Sequence, residues 1–136
     1  MTDTLEELES LRDQLLRELF VIGDFRPGTV YPSYRKCGKK NCICARPAHP
    51  GHLQFLRTTA KGGKNRARTL RMGPELGKAI REAENYRRFV RLCREVVATN
   101  ERICQLRPVP EVKDPQELEA LKKELQKRFA GRLRRK

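Results

Sequence analysis

Three cysteines within eight residues are the feature that most constrains what this chain can fold into. Cys37, Cys42 and Cys44 follow the spacing Cys-x4-Cys-x-Cys, and His49 and His52 lie shortly downstream. Zinc sites take four tetrahedral ligands from cysteine thiolates and histidine imidazoles. The spacing therefore predicts a structural zinc site formed by the three cysteines and one histidine. We favour His49 as the fourth ligand, because four residues after Cys44 allow a compact turn, and His52 is the alternative.

Two other interpretations of the cysteine cluster remain open, namely free buried thiols and a redox or iron–sulfur role. The neighbouring Lys36, Lys39 and Lys40 favour ligation because positive charge lowers a thiol pKa. Charged residues make up 35% of the chain and hydrophobic residues 38%, so the core is small and needs support from a metal or a partner. Cys93 and Cys104 lie on a predicted helix at core spacing and are expected to be apolar fillers.

Positive charge is concentrated in the same part of the chain. Residues 25–74 contain 12 Lys and Arg and no Asp or Glu, whereas residues 1–24 contain 2 basic and 7 acidic residues. An acid-free segment of this length predicts a surface for a polyanion, and we expect nucleic acid, with DNA favoured over RNA. The predicted nucleic-acid-binding residues are Arg35, Lys36, Lys39, Lys40, Arg57, Lys61, Lys64, Arg66, Arg68 and Arg71.

Hydrophobic periodicity and turn residues predict an α+β fold that is mainly α. We expect a helical hairpin or bundle with a β-hairpin supported by the zinc knuckle. The predicted segments are an N-terminal amphipathic helix in 1–24, the basic knuckle and hairpin module in 25–73, a long amphipathic helix in 74–107, and a linker with a basic C-terminal helix in 108–136. Thr4 with Glu7 forms the pattern of a capping box.

The hairpin is centred on Gly62-Gly63, a two-residue turn signal. If Lys61 pairs with Lys64, Phe55 lies opposite Leu70 and Arg57 opposite Arg68. Like charges directly opposite each other destabilise a hairpin, so we expect an anion between the two arginines. The alternative is that both side chains extend into water.

The long helix predicts self-association. At 1.5 Å per residue it is roughly 50 Å long, and its apolar face is broad. We expect this face to pack on the N-terminal helix or in a helical dimer, which favours a homo-oligomer or a subunit of a larger complex.

Several motifs of the chain are similar to those of a known family. They are Cys37-Gly38-Lys39-Lys40-Asn41-Cys42-Ile43-Cys44, then His49, a Gly-Lys hairpin and Asn85-Tyr86-Arg87-Arg88. The chain resembles a family of small basic prokaryotic proteins classed as a domain of unknown function, over roughly residues 26–106. The resemblance implies the knuckle, the hairpin and the long helix, and it favours His49. It implies no established activity, and the only expectation that it adds is a loose association with mobile elements or DNA-binding proteins.

The pattern as a whole predicts a zinc-stabilised, non-enzymatic nucleic-acid-binding protein. The alternatives are an assembly subunit that oligomerises through its long helices and an RNA-binding accessory protein. The acid-free segment offers no carboxylate ligands for a nuclease metal, and no catalytic constellation is evident. No apolar run is long enough for a membrane span, and the acidic N-terminus is unlike a secretory signal, so we expect a cytoplasmic protein.

Overall fold

The computed structural model describes residues 3–133 and has an α+β fold. Three helices accompany one antiparallel three-stranded sheet, which confirms the predicted fold class and adds a strand to the predicted hairpin. The elements in chain order are α1 (Leu5–Phe20), β1 (Thr29–Arg35), β2 (His52–Lys61), β3 (Lys64–Leu70), α2 (Pro74–Leu106) and α3 (Pro115–Leu133). A single turn of 3-10 helix, Ile43–Ala45, lies between β1 and β2.

Helix α1 begins at a reciprocal cap. The Thr4 hydroxyl accepts a hydrogen bond from the Glu7 N–H at 3.2 Å, and the Glu7 carboxylate accepts one from the Thr4 N–H at 3.0 Å. This capping box satisfies two backbone donors that a helix start leaves free. Leu8 and Leu15 are the buried residues of the helix.

The sheet has the order β1-β2-β3. Lys61 pairs with Lys64, and the register then places Phe55 opposite Leu70 and Arg57 opposite Arg68, which confirms the predicted hairpin. Gly62 and Gly63 have φ angles of +59° and +77°, as a type I′ turn requires.

Strand β1 was not predicted as part of the sheet. It pairs antiparallel with β2, from Thr29 opposite Thr58 to Arg35 opposite His52. It contains Pro32, which has no N–H to donate, and an edge strand tolerates proline because one side of it is unpaired. The extra strand makes β2 central.

The sheet packs its apolar base on the start of α2. Leu70, Leu76 and Ala79 are buried together, and Val30 and Phe55 pack against them. The predicted Phe55–Leu70 pair therefore contributes to the core at the base of the sheet.

Helices α1 and α2 run antiparallel. Arg102 near the end of α2 binds the Asp3 carboxylate at 2.6 Å, and Asn85 in its middle donates to the Asp24 carbonyl at 2.8 Å. The buried residues of this part of α2 are Leu92, Thr99 and Ile103. The predicted apolar face is not buried throughout, since Val97 is 66% exposed.

The chain divides into two compact units, one ending at Cys104 and the other beginning at Gln105. The second contains α3, whose start is capped by a hydrogen bond from the Gln116 N–H to the Asp114 carboxylate at 3.0 Å. The apolar residues of α3, namely Leu118, Leu121, Leu125 and Phe129, are all exposed. The last basic residues of the predicted tail, Arg134, Arg135 and Lys136, lie outside the described residues.

Within residues 3–133, no helix combines the length and the apolar character that crossing a bilayer requires.

Candidate metal centre

The connection between β1 and β2 folds into a series of tight turns that gathers the three cysteines. The Cys42 N–H donates to the Lys39 carbonyl at 3.2 Å, and the Ala45 N–H donates to the Cys42 carbonyl at 3.0 Å. The second of these bonds belongs to the 3-10 turn, which exposes Ile43 and fully buries Cys44. The Cys-x-Cys spacing therefore gives one accessible and one enclosed sulfur.

The side chains of Cys37, Cys42, Cys44 and His52 converge so that their four ligand atoms all lie within 4.8 Å of one another. The Sγ atoms of Cys37 and Cys44 are 3.5 Å apart, and Cys42 Sγ is 3.1 Å from His52 Nε2. With metal–sulfur bonds of about 2.3 Å, a tetrahedral centre separates its sulfurs by about 3.8 Å. The four groups are thus close enough to bind a metal ion with only small adjustments.

The structure brings His52 into this cluster, whereas we favoured His49 from the sequence. The His49 Nδ1 atom accepts a hydrogen bond from the Gly51 N–H at 2.9 Å. Its ring centroid lies 6.3 Å from that of His52. The compact turn expected after Cys44 does form, and the His49 side chain stabilises it by accepting the Gly51 N–H. It is His52 that reaches the sulfurs.

Gly51 fixes where His52 starts β2. Its φ angle is +109°, and an added Cβ would lie 2.6 Å from the carbonyl carbon of Arg35. Arg35 is also the cross-strand partner of His52. Close backbone contact at Gly51 therefore sets the register that places His52 beside Cys42.

Hydrogen bonds polarise the sulfurs unequally. The Cys44 N–H, followed by the side chains of Cys44, His52 and Cys37, lowers the pKa of Cys42 to about 6. For Cys44 a bond from the Cys37 N–H acts to lower the pKa, but burial and the two nearby thiols outweigh it and raise the pKa. The lowered pKa of Cys42 favours the thiolate form that metal ligation requires, whereas burial opposes it at Cys44.

The predicted basic residues separate into three groups. Arg35, Lys36, Lys39 and Lys40 are exposed beside the cysteines, and Lys36 Nζ donates to the Arg46 carbonyl at 3.2 Å. Lys61, Lys64 and Arg66 are exposed at the hairpin tip, and Arg71 is exposed after β3. Arg57 and Arg68 form the third group, because their face of the sheet is turned towards α2.

The cross-strand pair Arg57 and Arg68 lines a cavity of about 180 Å³ between the sheet and α2. Arg68 lies 3.9 Å from the Glu75 carboxylate. Partial burial, and then the charges of Arg26 and Arg68, lower the pKa of Arg57. The anion expected between the arginines is thus supplied in part by the protein itself, at Glu75.

Sequence reasoning missed Arg26, Glu75 and Glu82 as members of this cavity. The Arg26 N–H donates to the Glu82 carbonyl at 3.2 Å, which fastens the segment before β1 to α2. The available signal was helical spacing, since Glu75 and Glu82 are seven residues apart and share a face with the buried Ala79.

Comparison with known proteins identifies a family but no activity. The family model described as a domain of unknown function, DUF6788, matches residues 3–82. The chain belongs to this family. The match includes α1 and the cluster of cysteines and histidines, and it ends within α2, whereas the resemblance noted from the motifs began at residue 26. No curated protein and no solved structure matches the chain.

Proposed function

We propose that this member of the DUF6788 family is a zinc-stabilised, non-enzymatic protein that binds nucleic acid, with duplex DNA as the favoured ligand. The observation that supports it most is the distribution of charge along β2. Exposed Lys and Arg flank both ends of this strand, and residues 25–74 contribute no carboxylate to oppose them.

Zinc suits the donor set of the candidate centre. Three thiolates and one imidazole are soft and borderline ligands, and their four-fold convergence matches a closed structural zinc site with no position for water or substrate. Such a site contributes on the order of 10 kcal/mol to folding. Most residues of the loop between β1 and β2 are exposed, and only Cys44 and Gly51 are buried. The contribution of zinc would therefore hold Lys36, Lys39 and Lys40 in place.

The spacing of the two exposed basic groups favours a duplex. Strand β2 has ten residues, and at about 3.4 Å per residue it separates the knuckle from the hairpin tip by about 30 Å. One turn of duplex DNA measures about 34–36 Å. Both groups can then contact phosphates on one face of the same duplex, roughly one turn apart.

The test is a titration of duplex DNA at several salt concentrations. If about six cations contact phosphates, the log–log slope of the binding constant against salt is near −5. The double variants Lys39→Gln/Lys40→Gln and Lys61→Gln/Lys64→Gln should each reduce the steepness of that slope by about 2. Lys122→Gln/Lys123→Gln on α3 is the control, because it removes the same charge elsewhere.

Three outcomes would count against the proposal. A wild-type slope near −1 would contradict phosphate binding by these groups. Equal effects of all three double variants would show that DNA binding depends only on the net charge of the protein. Tighter binding of RNA than of duplex or single-stranded DNA, at matched length, would favour the alternative of an RNA-binding accessory protein.

A second candidate function is assembly through the helices. The surface of α2 formed by Phe89, Val90, Cys93 and Val97 is largely apolar and borders a shallow groove of about 420 Å³. Phe25 stacks on Phe89 at 4.5 Å between ring centroids and extends this surface. Light scattering with and without DNA separates the candidates, since a stable oligomer indifferent to DNA supports assembly.

A further inference from the structure

The cavity between the sheet and α2 carries more positive charge than its own carboxylates can balance. The charged residues that line it are Arg26, Arg57, Arg68, Lys78, Glu75 and Glu82. Four cations and two carboxylates leave a net charge of +2. The lining contains no cysteine, and the cavity is open to solvent, since the Arg68 and Lys78 side chains are 72% and 63% exposed.

Both carboxylates are already engaged. Glu82 binds Lys78 at 2.8 Å, and this hydrogen bond, with the charges of Lys78, Arg26 and Arg57, keeps the pKa of Glu82 below its ordinary value. Glu75 accepts a hydrogen bond from the Arg71 N–H at 3.1 Å and lies 3.9 Å from Arg68. Among residues 3–133, neither Arg26 nor Arg57 forms an ion pair within 4.0 Å of a carboxylate.

Arg57 is the residue for which this imbalance costs most. It lies on the central strand, is half-buried, and has Arg68 directly opposite. A partly desolvated cation facing another cation is unfavourable unless an anion compensates. Burial, followed by the positive charges of Arg26 and Arg68, lowers the pKa of Arg57. This direction agrees with a shortage of negative charge around the Arg57 guanidinium.

From this geometry we infer that the cavity is a binding site for a phosphate monoester. A monoester carries a charge of about −1.5 to −2 at neutral pH, which balances the +2 of the lining, whereas each internal phosphodiester of a strand carries −1. The cavity of about 180 Å³ has room for about six water molecules at roughly 30 Å³ each, and therefore for one phosphate group. Guanidinium groups suit this ligand because they bind phosphate oxygens in bidentate fashion.

The inference deepens the proposed function by giving the protein a preference for a strand end that bears a terminal phosphate, and in that respect it rests on DNA binding. The cavity itself can be tested without DNA. The first arm titrates inorganic phosphate at constant ionic strength, with chloride as the replacement anion, and follows the melting temperature and the heat of binding.

The first arm has a defined expectation for each variant. Phosphate should raise the melting temperature of the wild type above that in chloride. Arg57→Gln should weaken phosphate binding at least about tenfold, because it removes charged hydrogen bonds. Lys123→Gln, which removes one exposed positive charge on α3 and does not line the cavity, should bind phosphate as the wild type does. Arg26→Gln provides a second loss variant at an exposed residue if Arg57→Gln does not fold.

The second arm compares 5′-phosphorylated and 5′-hydroxyl oligonucleotides of one sequence. The phosphorylated strand should bind at least about fivefold more tightly, and Arg57→Gln or Arg26→Gln should abolish the difference. DNA binding without any phosphate-specific effect in the first arm would overturn the inference and leave the proposed function intact. Phosphate binding without DNA binding would overturn the proposed function and leave the cavity as a site for a smaller phosphate monoester.

Discussion

The Sγ atom of Cys42 lies 3.1 Å from the Nε2 atom of His52, although ten residues separate them in the chain. The contact exists because antiparallel pairing of β1 with β2 places His52 at the base of the loop that holds the cysteines. The sheet thus supplies one candidate ligand, and the loop supplies three.

The two histidines should respond differently to substitution. His52→Ala removes a candidate ligand and should weaken metal binding by more than the roughly 10- to 100-fold typical of changes outside the ligand set. His49→Ala removes only the acceptor of the Gly51 N–H. Its loss of metal affinity should therefore fall within or below that range. Competition with a chromophoric chelator measures both, and a larger loss for His49→Ala would assign the fourth ligand to His49.

Gly51 should tolerate no side chain. Gly51→Ala places a Cβ 2.6 Å from the Arg35 backbone at a φ angle of +109°, so we expect a loss of about 1–3 kcal/mol of stability together with weaker metal binding. Gly77→Ala in α2 is the control, because its nearest neighbour is a flexible Arg81 atom at 3.6 Å. It should be neutral or stabilising by about 0.5–1 kcal/mol. Equal denaturant midpoints for the two variants would contradict the role of Gly51.

The sequence predicts the register of the hairpin but not which of the two histidines lies beside the cysteines. The hairpin register follows from Gly62-Gly63 and the lysines beside them, which is local information. The choice of His52 depends on the contact of Gly51 with Arg35 and on pairing between Thr29 and Thr58, which are distant in sequence. The sequence left residues 25–34 open as a loop or a short strand, because Pro32 argues against a strand unless its edge position is known.

The burial of apolar residues on α2 also depends on contacts between residues that are distant in sequence. The sequence predicts one broad apolar face for this helix, but the structure distinguishes Leu92, which is 1% exposed, from Val97, which is 66% exposed. Leu92→Ala should cost about 2–5 kcal/mol, whereas Val97→Ala should stay within about 0.5 kcal/mol. Thermal or urea unfolding measures both, and similar losses would indicate that Val97 is covered by another molecule in solution.

The ion pair of Lys78 with Glu82 gives a pH-dependent contribution to stability. The Lys78 hydrogen bond lowers the pKa of Glu82 from its ordinary 4.5. The contribution is therefore present above that ordinary value and is lost as the pH falls through the lowered pKa. Lys78→Met should raise the Glu82 pKa towards 4.5 in an NMR titration of the carboxyl carbon. Lys122→Met should leave the Glu82 pKa unchanged, because Lys122 pairs with Glu119 on α3. Equal shifts of the Glu82 pKa in the two variants would exclude the Lys78–Glu82 pair as the cause.

The most direct test of the account is the affinity for duplex DNA of the same protein sample with zinc, after chelation, and after zinc is restored, at one fixed salt concentration. We expect chelation to reduce the affinity at least about tenfold and zinc to restore it, because the metal holds the knuckle cations beside β2. Equal affinity with and without metal, with the hairpin signals of an NMR spectrum unchanged, would contradict it.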